Sequence, residues 1–372
     1  SALAECFVSC YPNAGLPDEE GHYNESPTML ASALEKFVNN GWINLLGGCC
    51  GTTPPHIKAI VEMVHGKPPR IPPKTGKCQV SGIEYLEICD EDRPFFVGER
   101  TNVIGSRLFK NLIIDEKYEE AAEIGRRQVR NGAHVIDVCL ANPDRDELTD
   151  IEKFLGFLIN KIKAPIMIDS TDAEVIERAL QFTQGKSIIN SINLEDGEER
   201  FEKVVPLAKT YGAALVVGTI DEDPKQGMAV TVERKLEIAQ RSHDLLVNKY
   251  GVKPQDIIFD PLVFPCATGD ENYIGSAQQT ILGVAAIKKA LPECKTILGV
   301  SNVSFGLPAA GREVLNAVFL YHCTKAGLDF AIVNTEKLQR YASIPDEEKK
   351  LAEDLLFNRG EDPIGVFASH FR

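Results

Sequence analysis

Acidic and amide side chains recur in this chain where apolar, β-branched runs stop. Glu99, Arg100 and Asn102 close FFVGERTN, Asp137 lies in HVIDVCL, and Asp169, Ser170 and Thr171 end PIMIDST. Asn190 and Asn193 punctuate SIINSIN, Asp221 follows ALVVGTI, and Asp260 sits in IIFDPLV. Ser301 and Asn302 end TILGVSN, and Asn334 follows FAIV. A polar group set in an apolar strand costs about 1–3 kcal/mol unless it is satisfied. Any one of these residues is explained equally well by a helix N-cap or a hydrogen bond at a strand end; the whole series asks for a shared ligand. Carboxylates accept from N–H groups and amides pair either way. Such a ring suits a neutral heterocycle with several N–H donors and one or two carbonyls. It holds no Cys–His pair and no Ser–His–Asp set, and no His and carboxylate residues cluster at metal spacing. His134 begins its run and reads as structural.

The elements that must position these residues follow from the pattern between them. The eight runs alternate with segments of helical periodicity, such as YEEAAEIGRRQVRNG and VERKLEIAQRSHDLLVNKYG. Several of these stop at a glycine: Gly132, Gly212, Gly251 and Gly327. Continuous apolar strands alternating with helices indicate parallel strands covered on the outside. Eight of them over residues 95–340 predict an α/β fold, a (β/α)8 barrel. A doubly wound open sheet competes, but it needs no set of eight, and no G-x-G-x-x-G stands at the first turn. In the barrel, strand C-termini carry the site, so the polar residues converge on one mouth. A reduced pterin fits its chemistry.

The remaining chain divides around KPPRIPPKT, whose prolines suit an extended linker. Residues 1–66 hold ECFVSCYP, the helical MLASALEKFVNNG, WINLLGGCC and a second helix from about Pro55 to His65. That is too little to bury a core, so the block reads as the end of a larger domain. Residues 67–94 are expected to be linker, and 341–372 one charged helix leading to a further module. The length of 372 residues at 44% hydrophobic content suffices for one large barrel with additions. A net charge of −14 argues against nucleic acid and anionic membrane surfaces. No apolar run is long enough to span a bilayer, and SALAECFVSC has no basic n-region or cleavable apolar core. The ten scattered cysteines read as reduced thiols of a cytoplasmic protein, with the adjacent Cys49 and Cys50 set apart.

The series GERTNVIGS (98–106), IDVCLANPD (136–144), MIDST (167–171), INSIN (189–193), FDPLVFP (259–265) and LGVSNVSFG (298–306) resembles the folate domain of cobalamin-dependent methionine synthases. It is similar also to methyltetrahydrofolate:corrinoid/iron–sulfur protein methyltransferases. Dihydropteroate synthases share the fold and the pterin-holding carboxylates, but their phosphate-binding loops are not evident. YPNAGLP (11–17) and NLLGGCCGTTPPHI (44–57) resemble the end of a homocysteine-binding barrel, which favours the first family. The resemblance implies transfer of the N5 methyl of 5-methyltetrahydrofolate to cob(I)alamin during methionine synthesis from homocysteine. It implies that Asn302 reaches N5, that Asp169, Asp260 and Asn190 hold the amino and N–H edge of the pterin, and that Glu99, Asn102 and Asp137 line the same mouth, Asp137 through water. Arg312, in GLPAAGREVLN, matches an arginine near the aminobenzoyl part, although a salt-bridging surface arginine suits the position too. Cys49 and Cys50 match two of three zinc thiolates; the third is not found, and Cys6 and Cys10 lie off the family positions. The D-x-H-x-x-G motif of corrinoid modules is absent, so cobalamin is expected from another module or from solution. The corrinoid-protein methyltransferase and a folate-binding module without turnover remain as alternatives.

Overall fold

Two short apolar runs near the start pair in parallel, β1 (Ser9–Cys10) with β2 (Leu45–Leu46). α1 (Pro27–Asn39) joins them, its first turn set by Pro27 and by Ser26 Oγ, which accepts from Met29 N. α2 (Pro54–Val64) follows, and Leu30, Leu34 and Ile60 form a small core between the two helices. They lie in the first of two units, Ser1–Gly76 and Lys77–Arg372, in a computed structural model that describes residues 4–74 and 76–372. Residues 1–3 of the leading block and Thr75 of the proline-rich passage lie outside the described residues.

The second unit begins inside the stretch expected to be linker, and this corrects that expectation. β3 (Gln79–Ser81) and β4 (Tyr85–Glu87) pair as an antiparallel hairpin. Its apolar residues Cys78, Val80 and Ile88 pack with Phe95, Val97, Val135 and Met167. Its backbone is bonded to the segments that lead into two barrel strands, Ser81 N to Lys186 O at 3.0 Å and Glu84 N to Lys163 O at 3.2 Å. The hairpin therefore stoppers the N-terminal end of the barrel. The alternation of Cys78 and Val80, then Leu86 and Ile88, was its signal, overshadowed by the prolines before it.

All eight apolar runs become parallel strands: β5 (Phe95–Gly98), β6 (Val135–Val138), β7 (Ile166–Asp169), β8 (Ile188–Leu194), β9 (Ala214–Asp221), β10 (Ile257–Asp260), β11 (Lys295–Gly299) and β12 (Phe330–Val333). The sheet closes where β12 pairs with β5, Phe330 opposite Phe95. Between the strands run α3 (Arg107–Ile114), α4 (Tyr118–Arg130), α5 (Glu147–Leu158), α6 (Ala173–Phe182), α7 (Glu199–Tyr211), α8 (Val232–Asp244), α9 (Ser276–Ala290) and α10 (Ala309–Lys325). Strand side chains alternate between two cores. Val97, Val135, Met167, Ile188, Val216, Ile258, Ile297 and Phe330 fill the barrel. Their neighbours Ile136, Ile168, Ile189, Val217 and Phe259 pack outward against the helices.

Caps fix where the loops end. Asp172 Oδ1 accepts from Glu174 N at 2.8 Å at the start of α6, three residues after β7. Asp172→Ala is expected to lower stability by about 1 kcal/mol, measured as a lower urea midpoint with unchanged m; an unchanged midpoint would refute the cap's contribution.

The tail forms two helices where one was expected, α11 (Asp346–Leu356) and α12 (Pro363–His370). Gly360, at φ 94°, and Asp362, which caps α12 ahead of Pro363, divide them. Ala352, Leu355, Leu356 and Phe367 pack with Val314, Leu315 and Val318 of α10, so the tail completes the barrel's outer layer. Among the described residues no helix is long and apolar enough to cross a membrane.

Candidate functional site

The alternation that fills the barrel also selects which strand-end residues face its mouth. Two residues beyond Val97, Val135, Met167, Ile188 and Ile258 stand Glu99, Asp137, Asp169, Asn190 and Asp260. They form the top layer of the interior, at the strand C-termini. Asp221 has the other parity, two positions from Thr219 and four from outward-packing Val217. Its carboxylate accepts both bonds from Arg234 Nη2, at 2.7 and 2.8 Å, so its strand-end position serves an ion pair beside the barrel.

Asn102 joins two of the inward carboxylates. Its Nδ2 donates to Asp137 Oδ2 at 3.1 Å and to Asp169 Oδ2 at 3.2 Å. Its Oδ1 accepts from Ile104 N at 2.9 Å and Gly105 N at 3.1 Å, which fixes the amide's orientation. Asp137 is buried, and its Oδ1 has no hydrogen-bond partner among the described residues. Burial, then the neighbouring Asp169 charge, holds Asp137 well above the ordinary carboxylate range. Burial, then the Glu147 carboxylate, pushes Asp169 up to about 6, against the opposing bond from Asn102. Two carboxyls so close, with one bridging donor, favour holding one proton between them. Asn190 pairs with Asp169 along the β7–β8 ladder.

Across the mouth, burial pushes Asp260 up to about 6, opposed by the bond from Leu262 N at 2.8 Å and by the Lys235 charge. Glu99 Oε2 accepts from Ser301 Oγ at 2.9 Å; burial raises this carboxyl too, while Ser301, Arg100 and Arg312 oppose the rise. Glu99, Arg100, Ser301, Arg312 and Lys337 line a cavity of about 220 Å³ at the ends of β5, β11 and β12. Arg312 is half-buried there, Nε donating to Ser304 Oγ at 3.2 Å and Nη2 to Ser301 O at 3.4 Å. Asn302 is exposed on the turn after β11. Gly299 makes room for it, because a Cβ there would lie 3.1 Å from Asn302 Nδ2.

The structure thus gathers Asn102, Asp137, Asp169 and Asn190 on one side, Asp260 on another, and Glu99 with Arg312 beside the cavity. Sequence reasoning singled out neither Glu147 nor Lys235, both of which act on these carboxyls. Lys235 was detectable, since it occupies the apolar stripe of α8 with Ile238 and Ala239. Glu147 lies in an ordinary acidic first helical turn and carried no signal.

Cys49 and Cys50, in the other unit, are exposed, with their sulfurs 3.9 Å apart. Two thiolates on one tetrahedral zinc, each bonded at about 2.3 Å, stand about 3.8 Å apart, so the pair fits two zinc positions. No group of three His, Cys, Asp or Glu suited to a metal occurs among the described residues. We therefore expect zinc titration to show weak binding reversed by EDTA; one tightly held zinc per chain would refute the incomplete site.

Solved structures similar to this chain include dihydropteroate synthases. That of Stenotrophomonas maltophilia is 16% identical with a TM-score of 0.48, over 73% of this chain and 92% of that one. That of Xanthomonas albilineans is 16% identical with a TM-score of 0.49, over 69% and 92%. That of Yersinia pestis is 14% identical with a TM-score of 0.47, over 74% and 97%. Residues 1–64 match the family model described as homocysteine S-methyltransferase. Residues 98–334, more than half of the chain, match the model described as pterin binding enzyme, and the chain belongs to that family.

Proposed function

We propose that the barrel binds 5-methyltetrahydrofolate and gives its N5 methyl to a corrinoid supplied by another module or from solution, as a step in methionine synthesis from homocysteine. The observation that carries this reading is the unpartnered Asp137 Oδ1, buried beside Asp169 and Asn102 at the mouth. A buried acceptor without a donor costs free energy that an N–H of a pterin edge would recover. Asp169, Asn190 and Asp260 are the further contacts we assign to that edge. The cations Arg100, Arg312 and Lys337 at the adjoining cavity suit the aminobenzoyl-glutamate part, whose carboxylates are anionic. The homocysteine-type segment, residues 1–64 of the same chain, supports methionine synthesis over other pterin chemistry. The free thiols suit the cytoplasm, the compartment we propose.

The methyl group sits on a tertiary amine, a poor leaving group. Cobalt(I) of the corrinoid supplies the nucleophile when bound, so these residues need not. Their work is to orient the pterin and stabilise the changing charge at N5, and Asn302 is the group we assign to N5. The zinc of the thiol-activating half would be held in part by Cys49 and Cys50.

The test supplies methyltetrahydrofolate and cob(I)alamin to the purified chain and follows the corrinoid absorbance together with loss of methyl from the folate. Methyl loss at a rate above the protein-free control supports an enzyme. Folate binding without methyl loss supports the second reading, a folate-binding module.

A further inference from the structure

Lys235 is fully buried on α8, although a lysine is rarely buried unless it is paired. Its stem runs along α9 at Gly283, where an added Cβ would lie 2.7 Å from Lys235 Cδ. Nζ donates to the carbonyls of Ala229 at 2.8 Å and of Pro261, and lies 3.5 Å from that of Leu262. It also stands 5.2 Å from the centroid of the Phe264 ring. These carbonyls belong to the segments that follow β9 and β10, the loops of the mouth.

The turn after β10 is unusual in itself. Leu262 has φ 65°, a conformation uncommon for a residue other than glycine and sustained only by its surroundings. Its N–H donates to Asp260 Oδ1 at 2.8 Å, and its carbonyl accepts from Thr280 Oγ1 at 2.9 Å as well as facing the ammonium. One short turn thus joins the Asp260 carboxylate to the Lys235 charge. Charges on the neighbouring elements are engaged elsewhere. Asp221 of β9 is paired with Arg234, and Lys288 of α9 and Lys295 of β11 face Asp329, next to the start of β12.

We propose that Lys235 is a positioning residue for pterin binding, its ammonium clamping the strained turn after β10 and, through it, keeping Asp260 ionised and aimed into the mouth. This rests on the reading that Asp260 holds the pterin edge. Burial lowers Lys235 to about 7 and raises Asp260 to about 6, and each charge opposes the other's shift. Loss of either charge therefore weakens the other. Folate affinity should rise with pH as Asp260 ionises and fall again as Lys235 loses its proton.

The experiment compares the full chain with Lys235→Met, a substitution close in length without charge or donors. Carboxyl carbon NMR of the unliganded proteins, with Asp260 assigned through Asp260→Asn, should place the Asp260 midpoint about one unit or more higher in Lys235→Met. Calorimetry with methyltetrahydrofolate from pH 5 to 9 should show the acid limb displaced upward, with affinity lower by about twofold at pH 7 and by about tenfold at pH 5. Lys235→Arg, which keeps the charge, should return the Asp260 midpoint towards wild type. An unmoved Asp260 midpoint with intact folate binding overturns the role of Lys235. A wild-type chain that does not bind the folate overturns the functional reading and this role with it. Should Lys235→Met not fold, Asp260→Asn offers the reciprocal measurement: the Lys235 ammonium midpoint should fall, and an unmoved one overturns the pairing.

Discussion

Asn302→Ala is expected to slow methyl loss from methyltetrahydrofolate to cob(I)alamin by about a hundredfold in a single turnover, the usual effect of removing one donor aimed at a reacting centre. The side chain is exposed on the turn after β11, and the turn's own bond, Phe305 N to Asn302 O at 3.2 Å, is a backbone contact that alanine keeps. The fold is therefore untouched, and the folate dissociation constant should change by less than about threefold. An amide rotates to serve N5 both with and without a proton, which is why the loss falls on the rate. Wild-type single-turnover kinetics would remove Asn302 from the chemistry. A loss confined to affinity would make it a binding residue only.

Asp169→Asn should weaken methyltetrahydrofolate binding by about 1–3 kcal/mol, because a charge-assisted acceptor becomes a neutral one. The same change should raise the unfolding temperature of the unliganded chain at pH 7. The folded-state value of about 6 stands above the ordinary aspartate value of 3.8. Between those values the folded chain binds more protons than the unfolded one, so stability falls as pH rises through the window. Asparagine does not titrate and escapes that loss. The stability gain should accordingly be present at pH 7 and vanish below about pH 4. For the wild type, folate affinity should rise as pH passes about 6, with proton release on binding below that point. Calorimetry in buffers of different ionisation heat reads the release. Pterin affinity unchanged by the substitution would take Asp169 out of the site, and an unfolding temperature lowered at pH 7 would contradict the burial argument.

The strands were legible because burial on both faces makes them continuous apolar runs, and each of the eight appears where its run lies. The hairpin β3–β4 was not, because two three-residue strands carry little periodicity beside a run of prolines. For the site, residue type alone gave too many candidates. Period-two counting, from Val217 on β9 and from Ile258 on β10, separates outward Asp221 from inward Asp260, and it needs only the strand positions. The Asn102 bridge, the Ser301 bond to Glu99 and the Gly299 clearance for Asn302 join parts far apart along the chain or set by loop geometry. No local pattern encodes them.

The stoppered end of the barrel has a kinetic meaning. With Cys78, Val80 and Ile88 packed into the floor, that end of the barrel is closed to a ligand at the carboxyl ring. On the proposed function, an acceptor that comes for the methyl would stand in the mouth opposite. Folate would then arrive first and leave last, and an acceptor that lingered would hold the spent folate behind it. Product release would be governed by how quickly the visitor steps aside.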